Sequence, residues 1–277
     1  MAITTGDGYI ASAKQIVNYT KTAAVTTVAT TRYTIRGAAG NPGAGTLALG
    51  SAVPGQVVTD ATANFGAPTI NAFGGGATGY LSRVQWNNSV VGRIELWDVL
   101  WGANIPSSAA GFQTLQTLTV SGPASYLGRV PDGLGNGLRI FVEITTTMAA
   151  SATTVTCTYS NSAASPATGR TTASSGSLSG FVAGRWVELA LQAGDSGVSK
   201  IESIIIGGAT NATGVANVIV ARPLWSSGTR VANSGSYDGI DMTGMPRVYE
   251  DSALVVCTVA DSTSSGVPDM LIEIANG

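Results

Sequence analysis

The feature that most constrains the fold is an alternation of apolar and polar residues with a period of two. Between residues 138 and 144, aliphatic side chains occupy every second position, and Arg139 and Glu143 are among the residues between them. Residues 154–159 repeat the pattern with threonines in the polar positions. Because a strand turns successive side chains to opposite faces, both segments indicate half-buried strands. The short link between them predicts an antiparallel hairpin.

Strand-like segments continue towards the C-terminus, and helical patterns are scarce. Alternation recurs in four further segments: residues 186–191, 215–220, 254–259 and 270–274. Residues 201–206 are more uniformly apolar and predict a strand buried on both faces. Residues 109–118 favour at most one brief helix, because they include Gly111. Since strands with one apolar face must pack sheet against sheet, we predict an all-β fold, an antiparallel β-sandwich of jelly-roll-like type.

Residues 1–60 differ in composition from the rest of the chain, because they contain two of the three lysines and a stretch rich in Gly and Pro. We predict an N-terminal arm or small β subdomain over residues 1–60 and a β-sandwich domain over residues 61–277. The candidate interface consists of the apolar residues of the arm, which are spaced like a strand laid on a neighbour: Tyr9, Ile10, Ile16, Val17, Tyr33 and Ile35. An ordinary edge strand of the same domain would explain this spacing equally well.

No histidine occurs in the chain, and this absence narrows the chemistry that it can perform. Histidine is the usual general base near neutral pH and the commonest metal ligand in proteins. Two cysteines, Cys157 and Cys257, are too few for the usual zinc site or for a disulfide scaffold. Buried reduced thiols are favoured, and a bridge between sheets stays open. We therefore expect no enzyme, no cofactor and no metal site.

The most tempting catalytic motif is the Gly-Asp-Ser-Gly tetrapeptide at residues 194–197, which resembles the nucleophile motif of chymotrypsin-like serine proteases. Its serine would need an adjacent base, and without histidine only a lysine could serve. The motif falls between two strand-like segments, and Asp and Gly are typical of tight turns. We therefore predict a turn at this position.

Acidic and aromatic residues allow two carbohydrate-related interpretations. Four acids could supply the carboxylate pair of a glycoside hydrolase: Asp132, Glu143, Glu188 and Glu202. Nothing in the sequence fixes their separation, and solvated acids on polar strand faces are the simpler explanation. Five tryptophans could line a sugar-binding face: Trp86, Trp97, Trp101, Trp186 and Trp225. Because tryptophan buries a large area, we favour positions in the core or in an interface.

The charge content limits the partners of this chain. Charged residues make up 11% of the sequence, where roughly 25% is typical. The net charge is −2 and only three residues are lysines, which argues against binding to nucleic acid. No apolar run approaches the roughly 18 residues of a membrane span, so no membrane partner is predicted. The N-terminus shows no pattern of a secretory signal, which predicts a cytoplasm-like compartment.

Turn and strand segments within residues 76–277 resemble structural proteins of tailed-bacteriophage virions. The similar segments are residues 158–161 (Thr-Tyr-Ser-Asn), 169–172 (Gly-Arg-Thr-Thr), 191–204 (Leu-Gln-Ala-Gly-Asp-Ser-Gly-Val-Ser-Lys-Ile-Glu-Ser-Ile), 220–225 (Val-Ala-Arg-Pro-Leu-Trp), 244–254 and 271–277. The resemblance implies a non-enzymatic β-sandwich protein of the virion. The most specific role that it implies is a capsid decoration or cement protein that binds and stabilises the shell of major capsid protein, often as a homotrimer.

The same resemblance implies synthesis in the host bacterial cytoplasm, a place on the capsid surface, and sister copies as further partners. Low charge density suits such a protein, because its neighbours bury surface that a monomer would have to solvate. A tail-associated or receptor-binding virion protein is the alternative, and a glycoside hydrolase is a third class. If the N-terminal arm attaches the chain by adding a strand to a neighbour, a chain lacking residues 1–36 should stay folded and lose attachment.

Overall fold

Strands dominate the computed structural model, which describes residues 3–47, 49, 55–105, 117–119, 124–209 and 213–277. In chain order its strands are β1 (Ala13–Lys21), β2 (Arg32–Thr34), β3 (Gly40–Asn41), β4 (Gln56–Val57), β5 (Gly79–Asn88), β6 (Gly92–Ile105), β7 (Thr117–Thr119), β8 (Arg139–Thr146), β9 (Thr153–Asn161), β10 (Arg170–Thr171), β11 (Trp186–Leu189), β12 (Val198–Gly208), β13 (Val215–Thr229), β14 (Ser234–Asp238), β15 (Arg247–Val248), β16 (Leu254–Ala260) and β17 (Asp269–Asn276). The helices are α1 (Gly6–Ala11), α2 (Ile240–Thr243) and two 3₁₀ helices, Gly74–Gly76 and Ala124–Arg129. Within these ranges no helix is long and apolar enough to cross a membrane.

The strands form three antiparallel sheets. The central sheet has the order β11-β8-β13-β6-β16-β2, and β4 also pairs with β6. The terminal sheet, named for the first and last strands that it contains, has the order β14-β5-β17-β1-β3, and β15 also pairs with β5. The small sheet has the order β10-β9-β12-β7. These paired, curled sheets confirm the predicted all-β, sandwich-like fold.

One face of the central sheet carries both of the other sheets. Ile94 and Leu96 of β6 pack into a cluster with the terminal sheet. Trp101 and Ala103 of the same strand pack into a cluster with the small sheet. Leu100 is an extra residue in the pairing of β6 with β13, and this bulge keeps all four side chains on one face. The terminal and small sheets therefore lie side by side on the central sheet.

The opposite face of the central sheet turns inward, because the sheet curls until its edge strands meet. A bridge between Tyr33 and Arg185 joins β2 to the residue before β11. Inside the curl, the rings of Trp97, Phe141 and Trp186 pack together with centroids 5.1 to 6.2 Å apart. The central strands are thus buried on both faces, and in β6 every residue from Ile94 to Ala103 is buried.

The tryptophans and cysteines are core residues. All five tryptophans are buried, as favoured from the sequence: Trp86, Trp97, Trp101, Trp186 and Trp225. Both cysteines are buried as unbridged thiols. Cys157 belongs to the cluster under the small sheet and Cys257 to the cluster inside the curl. Burial raises the pKa of both thiols, so they stay protonated and unreactive.

The predicted hairpin between residues 138–144 and 154–159 is wrong. Both segments lie in strands, but β8 pairs with β11 and β13, whereas β9 pairs with β10 and β12. The two strands face each other across the cluster that joins the central and small sheets. Alternation shows which side chains are buried, but it does not show which strand is the partner.

Two further sequence predictions change in the structure. Residues 201–206 lie in β12, where Ile201, Ile204 and Ile206 are buried and Ile205 is only half-buried. The prediction of burial on both faces is wrong, because the small sheet meets the central sheet with one face. Of the predicted helix, residues 109–116 lie outside the described residues, and the last two positions belong to β7.

Residues 1–60 contribute strands to two sheets. Strand β1 lies between β17 and β3 in the terminal sheet, and β2 pairs with β16 in the central sheet. Val17 and Tyr19 of β1 are buried beneath the terminal sheet. A chain lacking residues 1–36 would lose both strands and uncover this cluster. That truncation therefore tests folding together with attachment.

A buried ionic junction separates the two clusters on the shared face of the central sheet. Asp98 of β6 is fully buried there. Its carboxylate lies 3.4 Å from Arg129 Nη1 and 3.4 Å from Arg222 Nη2. The Ser252 hydroxyl donates to it at 2.9 Å and the Ala253 backbone N–H at 3.0 Å. One carboxylate thus compensates two buried guanidinium groups that come from distant parts of the chain.

Replacing Asp98 with alanine should destabilise the protein by about 3–5 kcal/mol, because two buried positive charges lose their counter-ion. Denaturant unfolding measures this loss. Asp251→Ala is the matched control, since Asp251 also approaches Arg129, at 3.9 Å, but its side chain is 53% exposed. The control should cost less than about 1 kcal/mol. Equal losses of unfolding free energy in the two variants would contradict the role of Asp98 as the buried counter-ion.

Lys21 fixes the segment that follows β2. Its side chain is buried at the end of β1. The ammonium donates to the carbonyls of Arg36 at 3.4 Å, Ala38 at 3.1 Å and Pro42 at 2.7 Å. Burial without a carboxylate partner lowers the pKa of Lys21 to about 8.

This pKa predicts a pH dependence of stability. Unfolded lysine has a pKa of about 10.4, so between about pH 8 and pH 10 the folded chain releases a proton that the unfolded chain keeps. The free energy of unfolding of the wild type should therefore rise with pH relative to that of Lys21→Met. Urea unfolding at several pH values measures this difference, with Lys200→Met, at an exposed site, as the control. If the difference in unfolding free energy between the wild type and Lys21→Met stayed constant or fell as the pH rises, the lowered pKa of Lys21 would be refuted.

Candidate interaction surface

Large exposed apolar side chains concentrate on the terminal sheet. Six of the ten such residues in the described chain lie on this sheet or on the short helices beside it: Ile10, Ile16, Tyr237, Ile240, Met242 and Leu271. Helix α1 leads into β1, and α2 packs against β5 and β14. Exposed apolar groups that gather on one surface are typical of interaction sites.

The strand register fixes the outer face of the terminal sheet, which is the face turned away from the central sheet. Tyr237, Gln85, Leu271 and Asn18 are successive partners across β14, β5, β17 and β1. Ile16 lies two residues before Asn18 and is therefore a diagonal neighbour of Leu271. The outer face comprises Lys14, Ile16, Asn18, Thr20, Arg83, Gln85, Asn87, Tyr237, Asp269, Leu271 and Glu273.

The charged groups of the outer face balance one another. Glu273 accepts from the hydroxyls of Tyr9 at 2.8 Å and Ser82 at 2.7 Å, and it lies 3.2 Å from Arg83. Burial alone would raise the pKa of Glu273, but the hydrogen bonds from Ser82 and Tyr9 and the charge of Arg83 lower it. With Lys14 and Asp269 included, the face has two positive and two negative side chains. The side-chain charges of the outer face thus sum to zero, and apolar side chains lie between them.

The six predicted interface residues divide into two groups. Tyr9, Ile10 and Ile16 lie at the outer face or at its edge, and the side chains of Ile10 and Ile16 are 76% and 49% exposed. The other three are buried within this chain: Val17, Tyr33 and Ile35. Their spacing reflects packing beneath the terminal sheet and between strands of the central sheet.

Sequence reasoning missed Leu271 and Tyr237 of this surface. Leu271 lies between the buried residues Met270 and Ile272 and shares its phase with Glu273, so alternation places it on the polar face, but its apolar side chain gives no sign that it is exposed. Tyr237 follows Ser and Gly residues that are typical of a turn. The register shows that both side chains lie on the same outer face.

The Gly-Asp-Ser-Gly motif is a tight turn, as predicted. The Asp195 backbone N–H donates to the Gln192 carbonyl at 3.1 Å. The Asp195 carboxylate accepts from Tyr159 Oη at 2.6 Å and from Arg170 Nε at 2.9 Å. Burial would raise the pKa of Asp195, but these hydrogen bonds lower it to about 2. The aspartate therefore joins the turn to the small sheet.

The candidate glycosidase acids do not form one cluster. Glu143 and Glu188 lie on the neighbouring strands β8 and β11, whereas Glu202 lies on β12 in the small sheet. Glu143 pairs with a buried arginine and Glu188 with two arginines at 3.7 Å. Across the described ranges, no group of three or more Cys, Asp or Glu side chains could hold a metal ion.

Comparison with known proteins gives little further information. No family model matches the chain. No curated protein matches it either. Among solved structures, it is similar to the crystal structure of the infectious bursal disease virus VP2 subviral particle, with 11% identity over 95% of this chain and 79% of that chain and a TM-score of 0.21. At this TM-score the likeness supports no argument about this chain.

The assignment of faces in β17 predicts that alanine substitutions at two adjacent residues change the unfolding free energy by very different amounts. Ile272→Ala should cost about 2–5 kcal/mol of unfolding free energy, because Ile272 is fully buried beneath the terminal sheet. Leu271→Ala should change it by less than about 1 kcal/mol, because Leu271 is 38% exposed on the outer face. Thermal or denaturant unfolding compares the two. A larger loss of unfolding free energy for Leu271→Ala than for Ile272→Ala would contradict this assignment of faces.

Proposed function

We propose that this chain is a structural protein of a virus particle and attaches through the outer face of its terminal sheet. More specifically, we infer a capsid decoration or cement protein of a tailed bacteriophage. Its partners would be the major capsid protein and sister copies of the chain, in a homotrimer. It would be made in the host bacterial cytoplasm and would act on the capsid surface, without catalysis or a cofactor.

The observation that carries the proposal is the neutral outer face with exposed Ile16, Leu271 and Tyr237. The centres of protein interfaces are depleted in charged residues and enriched in aromatic residues and Met. Here Arg83 and Glu273 form an ion pair, Asp269 accepts a hydrogen bond from Thr20 at 2.6 Å, and Lys14 donates one to the Tyr9 carbonyl at 2.7 Å, so each charged side chain keeps a partner within the chain when a neighbour covers the face. A rigid, hydrogen-bonded sheet also loses little conformational entropy when it binds.

Two features of the sequence support the viral role. The low content of charged residues, 11%, suits a protein whose surface is largely covered by neighbours. The turn and strand segments described above resemble virion structural proteins of tailed bacteriophages. Both features favour assembly with other molecules over turnover of a substrate.

The proposal predicts that changes on the outer face abolish attachment. Particles of the encoding virus that lack this chain are incubated with purified wild type or with the Leu271→Lys, Tyr237→Ser double variant. Occupancy after gradient purification should fall at least roughly tenfold for the variant, about 1.4 kcal/mol or more, because a lysine would have to be buried against the shell.

The control variant is Val28→Lys, which changes an exposed apolar residue away from the terminal sheet and should bind as the wild type does. Both variants should melt within a few degrees of the wild type, since none of the three replaced residues is buried. Undiminished occupancy of the double variant would refute attachment through the outer face. Failure of the folded wild type to bind the particle would refute the decoration role itself.

A further inference from the structure

The terminal sheet has an open strand edge on each side. Strand β14 is the last strand on one side. On the other side, β3 pairs with β1 only at Thr20 and Lys21, so residues 14–18 of β1 pair with β17 alone among the described strands. An open edge presents N–H and C=O groups that a strand of another molecule can bind.

Two backbone hydrogen bonds show which residues of β1 direct these groups outward. The Lys21 N–H donates to the Pro268 carbonyl, on the side of β17, at 3.0 Å. The Thr22 N–H donates to the Ala39 carbonyl, on the side of β3, at 2.8 Å. Because this direction alternates along an antiparallel strand, even-numbered residues of β1 direct their backbone groups away from β17. In the open part of the strand these are Lys14, Ile16 and Asn18.

The same alternation identifies the outward residues of β14. Gly277 and Thr78 exchange two backbone hydrogen bonds, at 3.1 and 3.3 Å, so the odd-numbered residues of β17 bond to β5. Even-numbered residues of β5 therefore bond to β14. The residues of β14 that face outward are Gly235 and Tyr237. Among the described residues, no other backbone hydrogen bond reaches the outward groups of either edge.

We infer that sister copies of this chain join edge to edge, with β14 of one copy pairing antiparallel to the open edge of β1 in the next. Strand direction alternates from β14 to β1, so a neighbour's β14 continues the antiparallel order. The lengths also match, since β14 has five residues and the open part of β1 spans residues 14–18. Such a head-to-tail contact closes into a ring. The number of copies, three, rests on the proposed function.

The outward residues restrict the register of this contact. The inferred register pairs Tyr237 with Ile16 and sets Gly235 opposite Asn18. A shift by two residues in one direction would set Gly235 opposite Thr20, which β3 already covers. A shift in the other direction would pair Tyr237 with a lysine. The side chains of Tyr237 and Ile16 are 71% and 49% exposed on the outer face, and aromatic and β-branched residues form favourable cross-strand pairs.

This register also brings two short helices together. Helix α1 ends just before β1, and α2 begins just after β14, so antiparallel pairing sets α2 of one copy beside α1 of the next. Both helices expose large apolar side chains: Ile10 of α1, and Ile240 and Met242 of α2. With the pair of Tyr237 and Ile16, the contact covers five of the ten large exposed apolar side chains of the described chain.

The charges at the two edges are complementary. Lys14 lies opposite Gly239 in this register, two residues before the exposed Asp241, so opposite charges approach each other. Strand β14 adds no exposed charge, because its one acid, Asp238, is buried and accepts from the Trp225 indole N–H at 2.8 Å. Pairing of two β14 edges about a two-fold axis is the rival arrangement, and it would leave the open edge of β1 uncovered.

Disulfide cross-linking of the full chain in solution tests the contact. The Cα atoms of a hydrogen-bonded antiparallel pair lie about 5.5 Å apart, which suits a disulfide. The native cysteines are buried and should not react. An oxidised mixture of Ile16→Cys and Tyr237→Cys should give a covalent dimer on a non-reducing gel, and the double variant a covalent trimer. Each single variant alone should stay monomeric.

The control mixture combines Ile16→Cys with Val28→Cys, an exposed position away from the terminal sheet. It should give at least roughly tenfold less covalent dimer, because the two sulfurs do not meet in the inferred contact.

A second measurement removes an outward N–H group. Gly235→Pro lacks this donor, whereas Gly235→Ala keeps it and adds a Cβ that meets Trp86 O at 3.6 Å and Asn87 Cβ at 3.8 Å, which are ordinary contacts. The association constant from analytical ultracentrifugation should be at least roughly tenfold lower for the proline variant than for the alanine variant. Thermal melting shows whether both variants are folded.

Three outcomes would overturn the inference: no covalent dimer in the mixture, equal cross-linking by Tyr237→Cys alone, or equal association of the two Gly235 variants. The second outcome would indicate pairing of two β14 edges. If the wild type still occupies the particle in these cases, attachment through the outer face stands without the edge contact. Cross-linking by a chain that does not bind the particle would keep the edge contact and remove the decoration role.

Discussion

Strands β6 and β13 have neighbouring sheets or segments against both of their faces, and the remaining elements are arranged around them. The terminal and small sheets cover one face, while residues from the segment between β2 and β5, such as Leu47 and Phe65, pack into the curl on the other. A charged side chain buried in this way destabilises the fold unless an opposite charge compensates it. Asp98, Glu95 and Glu143 are the carboxylates enclosed along β6 and β8, and arginines compensate each of them. Several arginines of the chain therefore neutralise buried carboxylates.

The sequence was informative about local structure and much less so about partners. Alternation correctly indicated β8, β9, β11, β13, β16 and β17, because the period of two depends only on which side chains are buried. The hairpin of β8 and β9 was wrong because strand pairing depends on packing between distant segments. For the surface, Ile10 and Ile16 could be found from the sequence. Leu271 shares the phase of Glu273, so alternation places it on the polar face of β17, but an apolar residue at that position gives no sign of its exposure.

The same distribution of charge links the fold to its proposed role. The charges of the outer face sum to zero, and arginines compensate the carboxylates in the core, so few charged groups depend on solvation by water. A monomer gains little from such a surface, whereas a chain packed among neighbours at high copy number gains burial without desolvating unpaired ions. Of the apolar residues predicted in the N-terminal region, Tyr9, Ile10 and Ile16 lie at the proposed surface or at its edge, while Val17, Tyr33 and Ile35 are buried within the chain.

The central claim is that the outer face of the terminal sheet is the surface by which this chain joins a particle. If the proposed role holds, a cryo-microscopy map of the virus particle that carries the chain tests this most directly. The account predicts density of a neighbouring subunit, shell or sister copy, against Ile16, Leu271 and Tyr237. A map in which these side chains face solvent, while another surface contacts the shell, would contradict the account.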